Sequence, residues 1–163
     1  MPQFVDRIIS RLARPASPVS FRMRAGDAFP LDQLQSADGK PPPPPAPGER
    51  LVIWFYPKDN TPGCTLEGRH FTRMADAFRA KNTRVYGCSA DDASAHQHFQ
   101  DSCDIRTDLL TDPRGRVGQR LGNFRDTFHQ RTTAVLDDQC RLLRLYDQVA
   151  PLGHPEEVLR DLG

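Results

Sequence analysis

The chain has no Cys-x-x-Cys pair, no glycine-rich phosphate loop, no apolar run long enough to span a bilayer and no excess of either charge. Each absence removes a class of function. Without a paired dithiol, a thioredoxin-type disulfide exchanger lacks its reactive group. Without a long apolar segment no membrane span is expected, and Met1-Pro2-Gln3-Phe4-Val5 lacks the charged-then-apolar layout of a secretory signal. Lys and Arg number 22 against 21 Asp and Glu, a net charge of +1, so there is no electrostatic case for nucleic acid or an anionic membrane as partner. His96 and His98 are two apart and point to different helix faces, while His70, His129 and His154 are scattered, so no metal site is expected. Four cysteines in 163 residues do not make a dense disulfide framework and read instead as redox-active thiols of a cytoplasmic protein.

Proline is plentiful by contrast. Pro41-Pro42-Pro43-Pro44-Pro45-Ala46-Pro47 favours extended polyproline II and reads as a stiff connector between an early hairpin and the first buried strand; a ligand for a proline-reading module is the less favoured reading. Near the start, Phe4, Ile8, Ile9 and Leu12 recur at helical spacing with Arg7, Arg11 and Arg14 between them, which reads as a short helix packed on its own domain, a transit segment being the less favoured reading; the pattern stops at Pro15. Residues 1–20 are taken as an N-terminal extension and residues 21–163 as a single domain, large enough to bury a core of its own.

After the prolines, strand and helix patterns alternate. Leu51–Tyr56 is a continuous apolar run of the kind buried on both faces of a sheet. Thr65–Ala80 carries Leu66, Phe71, Met74, Ala75 and Phe78 close to one helical stripe. Thr83–Ser89 predicts a second parallel strand, and Ala93–Ser102 a helix capped by Asp91 or Asp92. Leu109–Asp112 is extended, Pro113–Leu121 a short helix, and Pro155–Leu162 a closing helix. Thr132–Leu136 and Leu142–Tyr146 flank Asp137-Asp138-Gln139-Cys140 as a hairpin. The order predicts an α/β sandwich with a mixed central sheet flanked by helices.

Cys64 follows the first strand across a turn, Pro57-Lys58-Asp59-Asn60-Thr61-Pro62-Gly63, and opens a helix. Free backbone N–H groups and the macrodipole favour negative charge there, so the thiol is expected to be more acidic than usual and nucleophilic. The carboxyl ends of strands are also where α/β sheets collect their chemistry.

Pro57-x-x-x-Thr61-x-x-Cys64 resembles the active-site pattern of the peroxiredoxins. The wider run from Phe55 to Glu67 is similar to the subfamily of bacterioferritin comigratory protein and PrxQ. Gly87–Asp92, Ser94-Ala95-His96, Leu109–Pro113, Arg131–Asp137 and His154–Leu159 continue the likeness over about residues 24–163, in consistent order. The resemblance implies a thioredoxin-like fold and a thiol-dependent peroxidase acting on hydrogen peroxide and organic hydroperoxides. It implies that Cys64 is the peroxidatic cysteine, oxidised to a sulfenic acid, with Thr61, Pro57 and Arg131 around it. It also implies a monomer with no metal, haem or flavin cofactor, recycled by thioredoxin or a similar reductant. Readings from other classes are a redox-sensing binding protein or holdase, and a thioredoxin-like disulfide oxidoreductase.

The second thiol departs from the subfamily. The place five residues after Cys64, where many members carry the resolving cysteine, is Arg69. Others place it in the following helix, near Gln100 here; Cys103 lies about one helical turn further on. Cys103 ranks first as resolving candidate, no internal resolver second, and Cys88 third. Cys140 sits in a predicted turn with no reason to approach Cys64.

Overall fold

Strand β1 (Arg50–Phe55) organises the computed structural model, which describes residues 18–147 and 149–163. Leu51, Val52, Ile53, Trp54 and Phe55 are all at 0% exposure, as a run without polar residues requires. β1 pairs in parallel with β2 (Thr83–Ser89) and antiparallel with β6 (Thr132–Leu136). β3 (Asp108–Thr111) adds in parallel to β2, and β7 (Leu142–Tyr146) antiparallel to β6, giving the order β3-β2-β1-β6-β7. This is the mixed sheet expected.

Alternation along β1 builds two cores. Val52 and Trp54, with Tyr56 beyond the strand, pack with Cys64 and Phe71 of α1 (Pro62–Arg73), Phe78 of α2 (Ala75–Ala80), Phe99 of α3 (Ala93–Cys103) and Val158 of a C-terminal helix, His154–Asp161. Leu51, Ile53 and Phe55 face the other way. They meet Phe29, Leu31 and Leu34 from the chain before β1, and Val117 and Leu121 of α4 (Arg116–Leu121). The C-terminal helix is α5. Helices thus cover both faces of the sheet, and Cys64 and Cys88 belong to opposite cores.

Several expectations change in detail. The single helix read over Thr65–Ala80 starts earlier, at Pro62, and breaks at Met74 (φ −97°, ψ 5°). The break turns α2 so that Phe78 reaches the same core as Phe71, with ring centroids 5.8 Å apart. The early hairpin is not formed. Residues 21–40 instead carry a 3-10 turn at Leu31–Gln33 and two isolated bridges, Ala28 with Arg141 and Gln35 with Thr111. Phe29, Leu31 and Leu34 tie this segment to the core. The helix read over Pro113–Leu121 is a 3-10 turn, Pro113–Gly115, followed by α4. A hairpin of two-residue strands, β4 (Phe124–Arg125) and β5 (Phe128–His129), has no periodic signal long enough to be read from sequence. The N-terminal helix pattern around Phe4–Leu12 lies outside the described residues. Asp92 is the N-cap of α3, its carboxylate accepting from Ala95 N. Among the described residues no helix is long and apolar enough to cross a membrane.

The proline connector is clamped. Arg84 Nη2 donates to the carbonyls of Pro43 and Pro44, both at 3.1 Å, while its Nε pairs with Glu49 at 2.9 Å; Pro42 is buried.

Gly87 on β2 lets Trp54 lie flat against the sheet. A Cβ there would meet Trp54 Cζ2 at 2.6 Å and Leu109 Cδ2 at 2.7 Å. Gly87→Ala is therefore expected to cost about 1–3 kcal/mol, read as a lower urea midpoint at unchanged slope. An unchanged midpoint would mean that the indole has room to move.

Candidate active site

Tyr56 closes β1 and starts the turn that carries the thiol. Its N–H donates to the Cys88 carbonyl at 3.1 Å, continuing the sheet by one residue. Its hydroxyl donates to Asp59 Oδ1 at 2.6 Å, and His96 Nδ1 of α3 meets Asp59 Oδ2 at 2.8 Å. The Asp59 N–H donates to Asp91 at 2.9 Å. The turn is thus tied to the strand behind it and to α3 beside it. Asn60 takes the left-handed conformation (φ 61°), which asparagine tolerates better than most residues, and brings the chain round to α1. Thr61 is the N-cap by position but makes no side-chain cap; its hydroxyl donates to the Lys58 carbonyl at 2.9 Å. Pro62 and Gly63 begin the helix and Cys64 is its third residue, so the thiol does sit in the first turn.

Arg131 comes from the neighbouring strand. Antiparallel pairing sets Phe55 opposite Thr132, so the residue before β6 lies beside the end of β1. The approach is held by His129 Nε2 on Asp112 Oδ2 (2.8 Å, both side chains fully buried) and by Asn123, which donates to Thr132 Oγ1 at 2.7 Å. From there Arg131 Nη2 reaches Cys64 Sγ at 3.6 Å, and Nη1 donates to Glu67 Oε2 at 2.7 Å. Pro57 is half-buried and lines a cleft of about 350 Å3 with Lys58, Ala90, Asp91, Thr127 and the partly exposed Phe128. The structure therefore brings Cys64, Thr61, Pro57 and Arg131 together at one end of the sheet.

Glu67 is a site residue that the sequence reading misses. It stands three residues after Cys64, on the same helix face, and is fully buried. A carboxylate at that spacing from a reactive thiol is the one signal available. Burial raises its pKa from 4.5 to about 7 despite the opposing pull of Arg131. One guanidinium thus faces two acids, with the carboxylate the nearer.

The expected acidity of Cys64 is corrected. The thiol is at 0% exposure, and burial pushes its pKa up. The charge of Arg131, the Thr61 hydroxyl and the Lys58 backbone all pull it down, but burial is the largest effect and the net direction is upward. The sequence shows a polar turn; it does not show that Trp54, Tyr56 and Phe71 close over the sulfur from the core side. His154, hydrogen-bonded to Thr133 Oγ1 at 2.7 Å, is held neutral with a pKa of about 4 by burial and by the charge of Arg131.

The other cysteines separate clearly. Cys88 is fully buried in the opposite core, and burial raises its thiol well above the usual range. Cys140 occupies the hairpin turn with φ 56° and packs against that same opposite core. Cys103, the last residue of α3, packs on the core that holds Cys64, and its Sγ accepts from Thr65 Oγ1 at 3.7 Å.

A mixed sheet with helices on both faces and a helix-start thiol under an arginine defines a thiol enzyme of thioredoxin-like fold. The family model described as "AhpC/TSA family" matches residues 26–144. Peroxiredoxin Q, chloroplastic, of Populus jackii is 30% identical over 159 residues, covering 95% of this chain and 70% of that one. Peroxidoxin BcpB from Mycobacterium tuberculosis superposes with a TM-score of 0.77 at 28% identity, covering 86% of this chain and 96% of that chain. The bacterioferritin comigratory protein of Xanthomonas campestris, solved in work on its alkyl peroxide reduction activity, gives 0.64 at 27%, covering 71% and 78%. The chain belongs to the AhpC/TSA family and, within it, to the peroxiredoxins of the bacterioferritin comigratory protein and PrxQ subfamily. It is a thiol-dependent peroxidase.

The raised Glu67 pKa has a measurable consequence. A carboxyl whose folded pKa lies above its unfolded value stabilises the fold fully below about 4.5, and that contribution is lost as pH rises through about 7. The wild type should therefore lose about 3 kcal/mol relative to Glu67→Gln across that window in paired chemical denaturations. Parallel stability–pH curves would contradict the assignment.

Proposed function

We propose that Cys64 is the peroxidatic thiol, served by Arg131, Thr61 and Pro57, and that Cys103 resolves its oxidised form. Thioredoxin or a similar dithiol protein then restores both thiols. The observation that carries this reading is the Arg131 guanidinium set 3.6 Å from a buried sulfur in the first turn of α1.

In the first step the Cys64 thiolate attacks one peroxide oxygen. An S–O bond forms as the O–O bond breaks, the sulfur is oxidised by two electrons, and water or an alcohol leaves with the proton the thiol gave up. Burial opposes the thiolate in the closed fold, so Arg131 must hold both the charge on sulfur and the charge that develops on the peroxide. Protonation of Glu67 leaves the guanidinium free for that purpose. The Thr61 hydroxyl adds a hydrogen bond near the sulfur, and Pro57, with no N–H, walls the pocket without a competing donor. Hydrogen peroxide and organic hydroperoxides are both substrates in this reading.

In the second step Cys103 attacks the sulfenic sulfur of Cys64. An S–S bond forms, the S–O bond breaks, and the hydroxyl leaves as water with the Cys103 proton. Two thiol–disulfide exchanges with the dithiol partner then reduce the bridge. With both thiols in one chain the cycle needs no second subunit, so we take the enzyme as a monomer. A reducing compartment, the cytoplasm, suits four free cysteines.

Cys64→Ser should abolish peroxide turnover while thermal unfolding stays cooperative; substantial turnover would overturn the reading. Cys103→Ser should accumulate sulfenic acid at Cys64, trapped with a dimedone reagent after one equivalent of peroxide. The unsubstituted protein should instead yield a Cys64–Cys103 bridge by peptide mass mapping.

Arg131→Lys keeps the charge but loses the planar fork that spans two acids. The second-order rate of Cys64 oxidation should fall by about tenfold or more in stopped-flow. A wild-type rate in Arg131→Ala would return this residue to a purely structural role.

A further inference from the structure

The end of α3 is pinned by three contacts at a single residue, Cys103, two of them to α1 and one to the turn before it. Arg69 Nε donates to the Cys103 carbonyl at 2.8 Å. Thr65 Oγ1 donates to Cys103 Sγ at 3.7 Å, and the thiol itself donates to Asn60 Oδ1 at 3.4 Å. Thr65 and Arg69 are four residues apart and share one face of α1. Asp104 follows in the left-handed conformation (φ 54°) and ends α3. Cys103 is therefore the last helical residue, and Arg69 takes up a carbonyl of the kind that a helix end leaves open.

We propose that Thr65 and Arg69 are positioning residues that present Cys103 to Cys64 for the resolving step. This rests on the reading of Cys103 as the resolving thiol. Arg69, five residues after Cys64 on α1, grips the segment that brings a thiol from another helix.

The two residues act differently. Neighbouring helical side chains point about 100° apart, so while Cys64 faces Arg131, Thr65 faces Cys103. Joining the two sulfurs means turning Cys64 from Arg131 toward Cys103, which opening of the first turn of α1 allows. That turn has weak points: Thr61 makes no side-chain cap, and Gly63 is a poor helix former. As it opens, the hydroxyl of Thr65 keeps the residue next to Cys64 on the Cys103 sulfur. Arg69, one turn further along, keeps Cys103 docked on the part of α1 that stays helical. Water is the only other product, and Cys64 sulfenic acid supplies the oxidising equivalents. A resolver already docked captures the sulfenic acid before a second peroxide oxidises it to the sulfinic state.

The test isolates the second step. The protein is oxidised with one equivalent of hydrogen peroxide in a single turnover, and the conversion of Cys64 sulfenic acid to the Cys64–Cys103 bridge is followed by rapid quench and mass mapping. Arg69→Met and Thr65→Val should each slow that conversion about three- to tenfold, and the pair together more. Both should raise the sulfinic fraction under excess peroxide. Thr65→Ser and Arg69→Lys, which keep a donor, should recover most of the rate, which a merely structural role would not require. Arg69 is solvent-exposed, and a circular dichroism melt of each variant confirms its fold. If the bridge forms at the wild-type rate in the double variant, the positioning role is overturned while Cys103 remains the resolver. If the wild-type protein forms no such bridge, the resolver reading fails and the positioning role falls with it.

Discussion

A single guanidinium shared by two buried acids is the constraint on which this site depends. Arg131 lies 2.7 Å from Glu67 and 3.6 Å from Cys64, and neither acid is exposed. One positive charge cannot fully compensate two negative ones in a medium of low polarity. Burial raises the carboxyl to about 7 and pushes the thiol up as well, and the one guanidinium offsets only part of either shift. The acidity of the sulfur is therefore set by burial and by Arg131 as well as by its helix terminus.

The fold makes that unit by register. β1 pairs with a neighbour that runs antiparallel on one side and with one that runs parallel on the other. The antiparallel neighbour begins where β1 ends, which sets Arg131 beside the turn that holds Cys64. The parallel neighbour ends at Ser89, and the next residues return Asp91 and His96 to grip Asp59. Both sides of the turn are therefore fixed by groups that arrive from strands paired with the same central one.

Much of this is legible in the sequence for physical reasons. The run Leu51–Phe55 has no polar residue and can only lie inside a sheet, and a turn rich in Pro, Gly and Asn followed by an apolar stripe defines a helix start at Cys64. Local pattern says little about depth. Cys64 reads as an acidic thiol in a polar turn because its flanks are polar, yet aromatic rings from β1 and α1 seal it from behind. Glu67 escapes notice because a glutamate in a helix is ordinarily solvated; its burial follows from facing Arg131, a residue 64 positions away. The β4–β5 hairpin escapes because strands of two residues carry no period, and the break at Met74 because the apolar stripe continues across it. Counting turns along a helix reaches Cys103, whereas its contacts with Thr65 and Asn60 depend on how α3 packs against α1 and the turn before it.

The central sheet also acts as a partition between sulfurs. Cys64 and Cys103 lie with the core on one side of it, Cys88 and Cys140 with the core on the other, and β1 and β2 close the space between. In the folded chain the Cys64 and Cys88 side chains face opposite cores, although the Cys88 carbonyl accepts from the N–H of Tyr56, at the start of the very turn that carries Cys64. Within one chain, a bridge across the sheet is therefore favoured before the sheet has zipped or after it has come apart. Oxidative damage by scrambling is a hazard of the nascent and unfolding chain, and the speed at which β1 finds β2 sets how long the hazard lasts.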